Sequence, residues 1–272
     1  MKAKVNGVEL YYEIHGQGDW LVLAHEFSGG YKSWQLQVDA LSQHTRLLIY
    51  NNRGYPPSSV PEDPDAYSQE HSIEDLQLLM EHVGIERPVL GGFSMGGSIA
   101  LNAALRYPDR IRALILAGTG TGSIDKAQNA RDFAPIADRF LDEGPAKVGE
   151  EYLRGPTRVQ LLRKNPAAWQ KLYAEFSELS PIGMAYTLRG VQLKRPTMYE
   201  LEAGLRTLRV PTLVLVGEED TPALEPSRFL ACTIPNATLK ILPGTGHTLQ
   251  LEEPEAFNAA VLEFVRGLRP GE

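Results

Sequence analysis

Pro88-Val89-Leu90-Gly91-Gly92-Phe93-Ser94-Met95-Gly96-Gly97-Ser98-Ile99-Ala100-Leu101 decides how the rest of the chain is read. The apolar run Pro88-Val89-Leu90 has the length of a short buried strand, and the residues from Ser98 onward have helical composition. Between them lies Gly92-Phe93-Ser94-Met95-Gly96, a G-x-S-x-G sequence. A strand that turns into a helix over one residue holds that residue in strained backbone geometry. The positions two residues to either side must then lack a side chain, or strand and helix collide. What the strain secures is a serine hydroxyl exposed at the strand end, above a helix N-terminus.

Outward from this turn, strand and helix signals alternate. Lys4 to Ile14 reads as two strands about Asn6-Gly7, a favoured hairpin pair. Trp20–Ala24, Leu47–Tyr50, Ile111–Ala117, Val210–Val216 and Thr238–Leu242 are short apolar runs suited to buried parallel strands. Ser33 can cap a helix reaching about Leu41. Ile73, Leu76, Leu79, Met80 and Val83 fall at helical spacing before Gly84, and a final helix covers about Pro254 to Leu268. From about Thr121 to Pro196 the strand rhythm stops, and helical spacing is interrupted by Pro135, Pro145, Pro156, Pro166 and Pro181. Several short helices are expected there, inserted as a lid. The domain reading is a core of residues 1–120 and 197–272 with a helical lid at 121–196. Alternating strands and helices imply an α/β fold, a mostly parallel sheet with helices on both faces. Ligands of such sheets gather at the carboxyl ends of the strands. His25, Asn51, Ser94, Gly217 and Gly244 all follow such ends.

Composition narrows the function. The net charge of -7 and the absence of a basic block argue against nucleic acid or an anionic membrane as partner. The single cysteine, Cys232, excludes an internal disulfide and is expected to fill core space. No signal-peptide pattern and no 18-residue apolar run occurs, so a cytoplasmic chain without a membrane span is expected. His25 and Glu26 are too few ligands for zinc, and Gly118-Thr119-Gly120-Thr121-Gly122 lacks the spacing of a dinucleotide fingerprint. No cofactor and no metal is expected.

A serine at such a turn needs a base, and the base needs an orienting group. Of six histidines, His247 is the best base, because its loop Pro243-Gly244-Thr245-Gly246-His247 follows the last strand. The acid is sought in Gly217-Glu218-Glu219-Asp220; Asp220 is preferred, with Glu218 and Glu219 as rivals.

These pieces together resemble the α/β-hydrolase superfamily over nearly the whole chain. They are the starting hairpin, His25-x-Phe27, Arg53-Gly54-Tyr55, Gly92-x-Ser94-x-Gly96, Gly217-x-x-Asp220 and Gly246-His247. The resemblance implies an eight-stranded sheet, the order Ser94, Asp220, His247 for a catalytic triad, and an oxyanion hole from the backbone N–H groups of Phe27 and Met95. It implies a serine hydrolase acting on a small apolar ester or lactone, similar to esterases and enol-lactonases. A homodimer is left open. Ser94, where related haloalkane dehalogenases and epoxide hydrolases need a carboxylate, argues against those chemistries. Thr248 after His247 lowers a C–C hydrolase reading, the inserted lid a perhydrolase reading, and the full set of triad candidates a purely binding role. Trp169, Tyr173, Phe176, Met184, Tyr186 and Leu188 either pack the lid or line an acyl pocket; Trp169 and Met184 are the nominated substrate contacts. Glu26 departs from the family, which usually has glycine there. It is expected to turn outward and pair with Arg53 or Lys32. Asn52, where an acid is frequent, is expected to be a structural change.

Overall fold

Asn6 and Gly7 both take positive φ, 44° and 74°, the twist a two-residue turn must supply between paired strands. They join β1 (Lys2–Val5) to β2 (Val8–His15), with Val5 opposite Val8. The remaining strands are β3 (Trp20–Ala24), β4 (Arg46–Tyr50), β5 (Val89–Phe93), β6 (Ala113–Ala117), β7 (Thr212–Gly217) and β8 (Ala237–Leu242). In this computed structural model, which describes residues 1–269, they form one sheet in the order β1-β2-β4-β3-β5-β6-β7-β8. From β4 to β8 every pairing is parallel; β1 and β2 run antiparallel at one edge.

Both sheet faces are buried, which is why the strands read as unbroken apolar runs. Val22, Leu48, Leu90, Leu114 and Val214 face one core. Leu21, Leu23, Leu47, Ile49, Val89, Ile115 and Leu213 face the other. Each such side chain contributes about 1.5–3 kcal/mol on burial. The helix Gln69–Val83 begins where Ser68 Oγ accepts the His71 N–H, 3.0 Å, and ends at Gly84 with φ 79°.

The chain leaves β3 for β4 on one side and returns to β5 on the other, so β3 lies between them. That reversal opens a crevice at the carboxyl ends of β3 and β5. Ala24 pairs with Gly92, which brings the loop after β3 beside Ser94.

Helices alone connect β6 to β7. Pro166 and Pro181 start helices at positions where the missing N–H costs nothing. Pro135 does not interrupt one: it lies inside Lys126–Tyr152, and the real break is Gly144, at φ 79° and ψ 163°. Glycine supplies the break because a side chain is strained at positive φ. Cys232 does not fill core space as expected. It is exposed, because the helix Thr221–Thr233 buries Ala223, Pro226, Ser227, Leu230 and Thr233 and turns position 232 outward. Among the described residues no helix is long and apolar enough to cross a membrane.

Candidate active site

Ser94 sits between β5 and the helix Met95–Arg106 with φ 53° and ψ -108°, left-handed backbone that a residue with a side chain rarely adopts. Its N–H is tied to Ala117 O, 2.8 Å, and its own carbonyl accepts the Ser98 N–H, 3.1 Å. A Cβ on Gly92 would lie 2.2 Å from Gly96 O, so the strand and its own helix touch there. A Cβ on Gly96 would instead strike the neighbouring strand, 2.1 Å from Ala24 O. The two glycines thus serve different contacts: one closes the turn, the other admits the helix against β3.

His247 Nε2 lies 3.0 Å from Ser94 Oγ, and His247 Nδ1 lies 2.6 Å from Asp220 Oδ2. A carboxylate only accepts, so Nδ1–H donates to Asp220 and Nε2 is left to accept the Ser94 hydroxyl hydrogen. The three side chains are 7%, 2% and 1% exposed, in the order Ser94, His247, Asp220, so little water competes for these bonds. The rivals are engaged elsewhere: Glu218 Oε2 accepts the Gly244 N–H, and Glu219 Oε2 accepts from Gln160 Nε2.

The loops carrying acid and base clasp each other. Glu219 N–H donates to Thr245 O, and a Cβ on Gly217 would lie 2.2 Å from Gly246 O. His247 N–H donates to Thr157 O, 2.6 Å. Glu252 brackets the base from behind, accepting from Gly246 N–H at 2.8 Å and from Thr248 Oγ1–H at 3.0 Å. The sequence reading missed Glu252; only its position in the turn after His247 could have pointed to it.

Among the described residues, the N–H groups of Phe27 and Met95 have no acceptor in the chain. His25 explains the aim of the first. Its Nε2 accepts the Asn52 N–H, 3.0 Å, so Nδ1 carries hydrogen and donates to Glu26 O, 2.7 Å. Burial pushes His25 down to about 4, which keeps the ring neutral and this tautomer fixed. Glu26 O belongs to the same trans peptide as the Phe27 N–H, so gripping one directs the other. Tyr55 OH donates to Phe27 O, 2.9 Å, and holds the next peptide.

Glu26 is not at the surface. It is 1% exposed, and neither expected partner reaches it. Arg53 is committed to Asp75 through two 2.6 Å bonds, and Lys32 lies near Glu178. Glu26 Oε1 accepts from Ser33 Oγ, 2.9 Å, while Oε2 has no partner. Burial raises this carboxyl to about 7. Gly29 is what makes room: a Cβ there would lie 2.3 Å from Glu26 Oε1.

Ser94 opens on a small cavity of about 30 Å³ lined by Phe27, Phe133, Tyr152, Leu188 and Leu193, with Arg158, Arg195, Asn129, Gln192 and Thr121 supplying polar groups. That space holds about two waters. A wider cleft of about 320 Å³ reaches His247 and Asp220 and shares Thr121, Asn129, Phe133 and Arg158 with it. Trp169 and Met184, nominated as substrate contacts, line neither. Trp169 stacks on Tyr173, 5.5 Å, and donates Nε1–H to Leu153 O, while Met184 is fully buried. Their side chains satisfy the interior of the inserted helices instead.

Comparison with known proteins agrees with this fold. A model described as alpha/beta hydrolase fold matches residues 19–254. The chain is 30% identical to a putative carbamate hydrolase, RutD, of Caulobacter sp. strain K31, over 95% of this chain and 96% of that protein. It superposes on the enol-lactonase of Burkholderia xenovorans with a TM-score of 0.86 at 28% identity, over 98% of this chain and 100% of that one. A malate-bound thermophilic esterase of Thermogutta terrifontis gives 0.90 at 29% identity, over 99% and 100%.

Proposed function

The chain belongs to the alpha/beta hydrolase fold family, and we propose that it is a cofactor-independent serine hydrolase that cleaves carboxylic esters through an acyl-enzyme on Ser94. The observation that carries this reading is the buried row Asp220–His247–Ser94, with contacts of 2.6 and 3.0 Å. His247 Nε2 takes the hydroxyl proton as Ser94 Oγ forms a bond to the substrate carbonyl carbon. The charge that develops on the carbonyl oxygen falls to the N–H groups of Phe27 and Met95; one such donor is worth about 3 kcal/mol to the transition state. His247 then protonates the leaving alcohol, and water activated by the same nitrogen releases the acid. Asp220 holds the ring in the tautomer both steps require.

Residues 121–196 are proposed as a lid over the core of residues 1–120 and 197–272. The inner cavity is too small for an ester, so the side chains shared by cavity and cleft must part for one to enter.

Wild type should be labelled one to one by a fluorophosphonate and should hydrolyse nitrophenyl esters. Ser94→Ala should do neither while keeping its thermal transition. Labelling that survives Ser94→Ala would move the nucleophile elsewhere. A panel with a lactone, a carbamate and a ring-cleavage dienone measures which acyl bond is preferred.

A further inference from the structure

The cavity beside Ser94 contains two guanidinium groups and, among the described residues, neither lies within ion-pair distance of a carboxylate. Arg195 is 8% exposed. Its Nη2 donates to Thr121 O, 3.0 Å, while Nη1 is buried with no acceptor. Arg158 lies over Tyr152, with Cζ 4.2 Å from the ring centre, and Nη2 donates to the Tyr152 hydroxyl, 2.8 Å. Its Nη1 reaches Thr157 Oγ1 at 3.4 Å, and its Nε is buried with no acceptor.

Other arginines of this chain show what an arginine does here when its role is structural. Arg53, as buried as Arg195, is saturated by Asp75 and two backbone carbonyls. Arg139 is saturated by Glu143 and Glu151. A buried cation left without an anion is unfavourable unless something arrives to pair with it. Two nearby acids do not serve. Asp220 is held on His247, and Glu26, whose carboxyl feels the charge of Arg158, bonds to Ser33 and is half neutral near pH 7. Burial also pulls Arg195 down to about 10, so the group remains charged at neutral pH but at a cost that an incoming anion would relieve.

We propose that Arg158 and Arg195 form an anchor for a carboxylate carried by the substrate, so that the ester or lactone cleaved at Ser94 is an acidic one. The proposal rests on the hydrolase reading of Ser94. Arg195 Nη1–H and Arg158 Nε–H have no acceptor in the resting chain, and planar guanidinium groups suit carboxylate oxygens. Because both groups and Ser94 border one small space, the carboxylate lies only a few bonds from the scissile carbonyl. Phe133, Leu188 and Leu193 cover the carbon chain between the two. The preferred substrate is then a half-ester of a short dicarboxylic acid or the equivalent lactone acid, rather than the purely apolar ester the sequence suggests.

The test compares mono-nitrophenyl esters of succinic and glutaric acid with the neutral nitrophenyl butyrate and valerate of matching length. Wild type should favour the charged member of each pair at least tenfold in kcat/KM. That charged-to-neutral ratio should collapse toward unity in Arg195→Met and Arg158→Met and recover in part in Arg195→Lys. Being a ratio, it is insensitive to the fraction of a variant that folds. Binding of glutarate to Ser94→Ala, followed by calorimetry, reads the anchor without chemistry and should be lost in Ser94→Ala/Arg195→Met. No charge preference in wild type, or one that survives both arginine substitutions, overturns the anchor and leaves the hydrolase reading intact. Arginine-dependent glutarate binding by a chain that hydrolyses no ester would do the reverse.

Discussion

The wild-type chain should lose stability between pH 5 and pH 8 through Glu26, and replacing Glu26 by Gln should abolish that loss. The folded chain raises this carboxyl from 4.5 to about 7, chiefly by burial. Well below pH 4.5 the group is protonated in both states, and the fold bears no penalty. As pH rises through the window, the unfolded chain has released its proton while the folded chain still holds one. Stability therefore falls with rising pH, and the loss is complete once the folded group has ionised. At 1.36 kcal/mol per unit, the shift amounts to about 2.5 kcal/mol between pH 5 and pH 8. Gln keeps the acceptor for Ser33 Oγ but leaves a buried amide unpaired, a constant cost of about 1–3 kcal/mol. That constant drops out when the two proteins are compared across pH. Urea unfolding of both at pH 5, 6, 7 and 8 should show wild type losing ground to Glu26→Gln by about 2.5 kcal/mol over the window. Parallel stability curves would refute the reasoning and mean that the carboxyl is solvated or paired. Turnover should respond much less than stability, since Glu26 lines neither the Ser94 cavity nor the cleft beside it.

Two further substitutions probe the scaffold and the acid. Asp220→Asn should lower kcat by about 10⁴, because an amide stabilises the wrong imidazole tautomer; Glu218→Gln and Glu219→Gln should stay near wild type, and a reversed ranking in ester assays would retire Asp220. Asp75→Ala should cost about 3–5 kcal/mol by urea unfolding, since it strands Arg53 in the interior and releases Asn6 of the hairpin turn; a loss under about 1 kcal/mol would mean that Arg53 finds water.

What the sequence made legible were the places where one residue's backbone has few options. Asn6-Gly7 marks a turn because few other pairs accept two positive φ angles. Gly92 and Gly96 flank Ser94 because any side chain there would meet backbone. The strand ends were legible for the same reason, and with them the meeting of Ser94, Asp220 and His247 at one edge. What escaped depends on tertiary contact. Glu26 reads as a surface acid until Ser33, seven residues on, and the space left by Gly29 enclose it. Trp169 and Met184 look like an acyl pocket because packing inside the inserted helices and packing against a ligand demand the same side chains. Pro135 looks like a helix end, yet the helix runs through it, and Gly144 breaks the helix instead. Arg158 and Arg195 gave no signal, since an arginine is notable only once its missing partner can be seen.

The unfavourable local choices around Ser94 share a direction. Ser94 is held in left-handed backbone, His25 is kept neutral so that its ring grips the peptide before Phe27, and Arg195 is buried with a free N–H. Each costs free energy in the resting chain, and each presents something a reacting ester would use: a nucleophile clear of its helix, a hydrogen-bond donor already aimed, a positive charge already stripped of water. The compensation lies beneath them, in strands β3, β5 and β6, whose side chains are buried on both faces of the sheet. A sheet packed that tightly can carry strained residues on its rim without unfolding, and residues on the rim are the ones a substrate reaches. Conflict between local preference and the conformation observed is therefore itself a guide to the site, and by that guide Arg195 belongs with Ser94.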